Sequence, residues 1–249
     1  MIDLEKAKKA FIEYTKNYDL EDQALKAKVS HSLRVMEYSR RIAENLNLSK
    51  EQIDLATLIG LLHDIARFEQ KTRYGTFVDR LSVDHGDLGA ELLSDNEFIR
   101  KFIENDKYDD IIKTAIRNHN KYKIEPLEGE VLTQAQIIKD ADKIDIFYQI
   151  VVMYHKDPKI TEESTVSDSY MEQLKEKKCV FREENTSQLD ELILITSFIY
   201  DIYFNYSLKI IKDEKYIENM FKQFNFKDES VRNKVKEVID IANDFLKDK

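Results

Sequence analysis

The side chains best suited to chemistry in this 249-residue chain are its histidines and the carboxylates that fall on apolar faces. The stretch "LLHDIARFEQ", residues 61–70, places His63 and Asp64 at the end of a run of leucines and isoleucines. Desolvating a carboxylate without a partner is costly, so Asp64 requires a compensating charge. His31 opens "VSHSLRVMEYS", His85 sits in "SVDHGDLGAELL", and His119 ends "TAIRNHN". Asp142 shares a helical stripe with Ala135 and Ile138. One inward histidine is ordinarily a hydrogen-bonded core residue. Several imidazoles and carboxylates converging from helices are what a metal site in a helical bundle needs. Neutral imidazole and ionised carboxylate suit a divalent transition metal such as Fe, Mn, Zn, Co or Ni, and a cation would compensate Asp64. His155, in the polar "MYHKDPK", reads as a surface residue.

The elements that must position these residues read as helices. Gly numbers 5 and Pro 2, so breakers are scarce, and helical periodicity dominates. Helices are predicted at about 3–16, 22–46, 50–62, a short one from near Ser82, 109–119 and 130–154. Ser49 with Gln52 forms a capping-box pattern, and Ile53 to Leu62 is apolar nearly all round, so that helix should be central. Gly86 and Gly89 in one short helix point to close packing or ligand approach. Residues 72–81 read as a loop around Gly75, with Arg73 and Arg80 as surface charges. The polar stretch 155–187 contains a short helix near 168–177 and is long enough to serve as a lid. Further helices are predicted at 188–211, 214–224 and 229–247. No strand candidate is convincing. The expected organisation is an all-α bundle over residues 1–187 with a C-terminal helical extension over 188–249.

Composition excludes several classes. A formal net charge of −9 argues against stable binding of nucleic acid through wide phosphate contact. It leaves room for a small phosphorylated ligand, which needs only a few local cations. The single Cys179 allows no internal disulfide and suits a reducing cytoplasm, and "MIDLEKAKKAF" lacks a signal-peptide apolar region. The apolar stretch 192–211 carries Asp201, Asn205 and Lys209, which reads as a buried helix rather than a membrane span. Asp201 and Asn205 are the polar residues there that suit pocket lining, and the apolar faces of the extension suit a cap or a homodimer interface.

The order His31, His63-Asp64, Asp142 in "KDADKIDIF" resembles the HD-domain superfamily of metal-dependent phosphohydrolases, over about residues 20–155. The whole pattern is similar to single-domain bacterial HD proteins. The resemblance implies one ion held by His31, His63, Asp64 and Asp142. It implies a second held by Asp64 as a bridge with His85 and His119; the alternative is a one-ion site in which those two histidines contact substrate. Arg67 falls where cyclic-dinucleotide-cleaving relatives carry a phosphate-binding lysine, with Ala66 in place of their glycine. The remaining signature of that subfamily is missing, as is the acidic pair of guanosine tetraphosphate hydrolases.

The chemistry so implied is hydrolysis of a phosphomonoester or phosphodiester, with a nucleotide as the expected substrate class. Two ions about 3.5–4 Å apart would acidify a bridging water, and the hydroxide would attack phosphorus. Arg67 and Lys143 are expected to stabilise charge on the phosphoryl oxygens, and Asn118 and Lys121 to contact substrate. Asp145, on the same face as Asp142, is expected to orient a ligand or pair with a lysine, and Asp140 to be solvated. Phe68 reads as core and Gln70 as a surface amide. Two other readings use the same residues: a di-iron HD-type oxygenase that cleaves a C–C or C–P bond, and a non-catalytic nucleotide-binding module.

Overall fold

The computed structural model describes residues 2–156 and 160–249, with the backbone alone at 153–156. The reading of His155 as a surface residue therefore lies outside the described residues. The described residues form α-helices and short 3₁₀ turns, with no strand among them. The chain divides into two compact units, residues 1–142 and 143–249.

The first unit contains α1 (Leu4–Thr15), α2 (Gln23–Asn45), α3 (Lys50–Leu62), α4 (Ala66–Tyr74), α5 (His85–Leu92), α6 (Asn96–Ile99), α7 (Asp109–Asn118) and the first half of α8 (Gly129–Lys156). Side chains fix several of the helix starts. Asp22 accepts from the Ala24 amide, Ser49 and Gln52 cap each other's backbone, and Asp84 accepts from the Asp87 amide. α3 is the central element: Asp54 to Leu62 are all buried. Each fully buried leucine or isoleucine there contributes about 1.5–3 kcal/mol. α3 packs against α1, α2 and α7.

Two glycines bring helix pairs unusually close. A Cβ on Gly60 of α3 would lie 2.9 Å from both Met36 Cα and Val35 O of α2. A Cβ on Gly86 of α5 would lie 3.0 Å from Ile116 O and 3.1 Å from Arg117 O of α7. These approaches draw together the helix pairs that carry His31 with His63 and His85 with His119.

The turn after α3 is short, and helix resumes at Ala66, so the predicted loop begins only at Gly75. Gly75 ends α4 in the left-handed region at φ 70°. The segment that follows contains a single 3₁₀ turn, Asp79–Leu81. It covers Gln70, which is buried rather than a surface amide because it donates to Asp79 Oδ1, Ser82 Oγ and Val83 O. Phe68 lies in the core, edge-on to Phe11 at 6.0 Å. Arg73 and Arg80 are exposed, and Arg73 pairs with Glu69.

The second unit contains the rest of α8, α9 (Asp168–Lys175), α10 (Gln188–Thr196), α11 (Asn205–Asp213), α12 (Tyr216–Lys222) and α13 (Glu229–Leu246). Phe147 stacks on Tyr216, and Asp190 accepts from both Ser167 and Ser187. The single helix predicted over 188–211 is broken. α10 passes into a 3₁₀ turn, Ser197–Asp201, and Ile202 is extended. The hydroxyls of Thr196 and Ser197 bond back to the carbonyls of Leu192 and Leu194, and Ser197 Oγ also accepts from the Val180 amide. Such side-chain bonds compete with the helical ladder and bend it. Asp201 accordingly lies in the turn and Asn205 is exposed. No described helix is long and apolar enough to cross a membrane.

Replacing Gly60 with Ala should cost about 1–3 kcal/mol, because backbone atoms of α2 would have to move. Gly75→Ala has open space around it and should cost about 1–2 kcal/mol through its φ alone. Urea unfolding monitored by circular dichroism checks both values. Ion binding should fall in the first variant and be unchanged in the second.

Candidate metal centre

Each histidine of the first unit is set by a helix end or a buried helix face. His31 lies on the buried face of α2, and His63 is the C-cap of α3. Asp64 follows in the turn before α4. His85 is the first residue of α5, His119 is the C-cap of α7, and Asp142 projects from α8. His31, His63, Asp64, His85 and His119 are at most 5% exposed.

These side chains form three overlapping groups: His31, His63 and Asp64; His63, His119 and Asp142; and Asp64, His85 and His119, so that Asp64 joins the first to the last. At the first, His31 Nε2 lies 3.0 Å from His63 Nε2, 3.2 Å from Asp142 Oδ1 and 3.4 Å from Asp64 Oδ2. In the last, His85 Nε2 lies 3.0 Å from His119 Nε2 and 3.5 Å from Asp64 Oδ1. His119 Nε2 is 3.7 Å from that same oxygen. One carboxylate thus turns Oδ2 to the first group and Oδ1 to the last.

The hydrogen bonds on the far side of each ring decide which nitrogen carries the proton. His63 Nδ1 meets Gly60 O at 2.8 Å, and His119 Nδ1 meets Ile116 O at 2.6 Å. A carbonyl only accepts, so both Nδ1 atoms are protonated and both Nε2 atoms present bare lone pairs. His85 Nδ1 donates to Asp79 Oδ2 at 2.7 Å, which leaves its Nε2 bare as well. The last group is therefore three acceptors, His85 Nε2, His119 Nε2 and Asp64 Oδ1, facing one another with no proton between them. Acceptors repel unless a cation lies among them. This donor set fits a divalent transition metal.

Charge around the cluster is strongly organised. Burial alone would push the Asp64 carboxyl up, but Lys28 and Arg67 outweigh it and hold it well below the usual range. Lys28 Nζ sits 2.7 Å from Asp64 Oδ2, and Arg67 Nε is 3.4 Å from Oδ1. Burial likewise opposes ionisation of Asp142, and His31 and His63 overcome it and hold this carboxyl well below the usual range too. Burial pushes His63 down and pushes His85 down to about 4, against the pull of Asp79. Both imidazoles are neutral at pH 7, as ligation requires.

Other predicted site residues are placed differently. The Arg67 guanidinium is half-buried, and its Nη1 donates to Gln70 Oε1, Phe77 O and Asp79 Oδ1. Asn118 is fully buried: it donates to Thr114 O and accepts from the Glu125 amide, which ties down the loop after α7. Lys121 pairs with Asp84 and Asp87. Lys143, in the second unit, pairs with Asp201 at 2.6 Å, and Asp145 accepts from Gln149. Asp140 is buried, contrary to the expectation that it is solvated, because α8 is buried on nearly every side from Gln134 to Asp145. Lys28, Asp79 and Asn120 enter the surroundings of the cluster without having been singled out. Lys28 had a legible signal, since it lies three residues before His31 on the same face of α2.

Residues 29–146 match the model of the HD domain family, and this span encloses all six clustered residues. That stretch is thus similar to the HD domain, an all-helical fold whose members are generally metal-dependent hydrolases. No curated protein and no solved structure matches the chain.

A pH dependence follows for the metal-free protein. An unfolded histidine titrates near 6.5, whereas His85 in the folded chain resists protonation until about 4. Between these values the unfolded state binds more protons, so stability falls as pH drops. His85 alone accounts for roughly 3 kcal/mol of that loss. The depressed carboxyls of Asp64 and Asp142 add to it below about pH 4. Denaturant unfolding in chelator at pH 7, 5.5 and 4.5 checks this, and His85→Gln should flatten the profile.

Proposed function

We propose that this protein is a metal-dependent phosphohydrolase that acts on a small phosphorylated molecule, with a nucleotide as the favoured class. The observation that carries the reading is the two-sided Asp64 carboxylate between two histidine groups. Such sharing suits a pair of ions: His31, His63, Asp64 and Asp142 would hold one, and Asp64, His85 and His119 the other. When bound, the ions would supply Lewis acidity, activating water and neutralising phosphoryl oxygens.

The chain's own residues prepare the rest. Burial and the fixed Nδ1–H tautomers keep the ligating nitrogens free of protons. Lys28 is the cation nearest Asp64, only partly exposed, and lies beside the Phe77 ring at 5.8 Å from its centroid. On this reading its ammonium meets a phosphoryl oxygen, in the role expected of Lys143 and Arg67. Arg67 instead braces Asp64 from the Oδ1 side and holds the loop after Gly75. Asn118 and Lys121 shape the loop beyond His119 rather than reach for substrate.

The test is metal analysis of the isolated protein together with a panel of phosphomonoesters and phosphodiesters. Asp64→Ala should lower phosphate release by more than about 1,000-fold, a loss of ~4 kcal/mol in transition-state stabilisation. It should also reduce bound metal. Lys28→Met should raise KM for the best substrate with metal content unchanged. Full activity in Asp64→Ala would refute the assignment. Oxygen uptake coupled to C–C or C–P cleavage, without phosphate-ester hydrolysis, would replace the hydrolase reading with the oxygenase one.

A further inference from the structure

We infer that Asp79 is the positioning residue that makes His85 a ligand, and that the loop carrying it therefore controls the second ion position alone. The inference rests on the two-ion reading above. His63 and His119 receive their tautomers from their own chain, through the carbonyl three residues earlier at a helix end. Those contacts persist as long as α3 and α7 persist. His85 has no such carbonyl, because it opens α5 instead of closing a helix. Its Nδ1–H is held by a side chain of the 3₁₀ turn, Asp79 Oδ2 at 2.7 Å.

Asp79 is itself held in place. Its Oδ1 accepts from Gln70 Nε2 at 2.9 Å and from Arg67 Nη1 at 3.1 Å, and Asn120 Nδ2 approaches Oδ2 at 3.3 Å. Arg67 also donates to Phe77 O at 2.7 Å. Gln70 is buried and adds bonds to Ser82 Oγ and Val83 O. The loop is thus latched to α4 at several points, and the latch ends on the imidazole. A carboxylate on the remote nitrogen fixes the ring's orientation and raises its basicity toward a metal, and losing such a partner costs typically 10–100-fold in affinity. Without Asp79, the His85 proton would be free to move to Nε2. A donor would then face His119 and Asp64 where a ligand is required.

Two measurements on the full-length chain test this. The first needs no metal: ¹⁵N chemical shifts of the histidine rings in the metal-free protein. Wild type should show His85 as the Nδ1–H tautomer. Asp79→Ala should show a mixture at His85 and no change at His63 and His119. The second is titration with Mn²⁺ or Co²⁺ and direct counting of bound metal. Asp79→Ala should weaken one ion 10–100-fold and leave the other unchanged, Asp79→Asn should fall between, and Asp79→Glu should recover part of the loss. Equal weakening of both ions, or an unchanged His85 tautomer in Asp79→Ala, overturns the inference. If Asp79→Ala does not fold, as judged by circular dichroism, Asp79→Asn decides through the same two readouts. Failure of wild type to bind metal would instead overturn the two-ion reading, while the tautomer measurement would still decide the role of Asp79.

Discussion

Mutual repulsion between electron pairs organises this molecule. Nitrogen lone pairs and carboxylate oxygens from separate helices are packed within 3–4 Å of one another in a region nearly closed to water. Left to themselves such groups would part or take up protons. The surrounding structure holds them in place. α3 is buried from Asp54 to Leu62, the glycines bring backbones to contact distance, and the ring tautomers of His63 and His119 are locked from behind by carbonyls. The free energy that holds the acceptors together comes from apolar burial elsewhere in the unit, as is general for strained functional sites.

The helices and the six clustered residues were legible in the sequence because both depend on period. Scarce glycine and proline, a capping box at Ser49, and imidazoles recurring at apolar helix edges give direct signals. Gln70 and Asp140 were not legible, for two different reasons. Gln70 is covered by a loop that folds back over α4, and no local pattern announces such a return. Asp140 lies on a helix surrounded on nearly all sides, where the usual alternation of wet and dry faces disappears. The break after α10 depends on hydroxyls turning inward to their own carbonyls, a choice that an apolar run conceals. Asp79 is one carboxylate among 48 acidic residues, distinguished only by the three-dimensional position of its loop.

The basic residues near the cluster divide by what they touch. Arg67 commits Nη1 to a glutamine, a carbonyl and a carboxylate, so it acts as a brace. Lys28 has a compact ammonium on a flexible stem, bonded to the carboxylate alone and partly open to solvent. The arginine is tied to one loop through Nη1, whereas the lysine faces the carboxylate.

That ion pair has a consequence for how the protein matures. Many small metal domains cannot fold before their ion arrives, because the ion supplies the folding energy. Here the buried carboxylate of Asp64 already has a positive partner from its own chain, 2.7 Å away. The nascent polypeptide can complete its core with Lys28 as a placeholder. The charge of Asp64 is thus met from within its own unit before any ion is present.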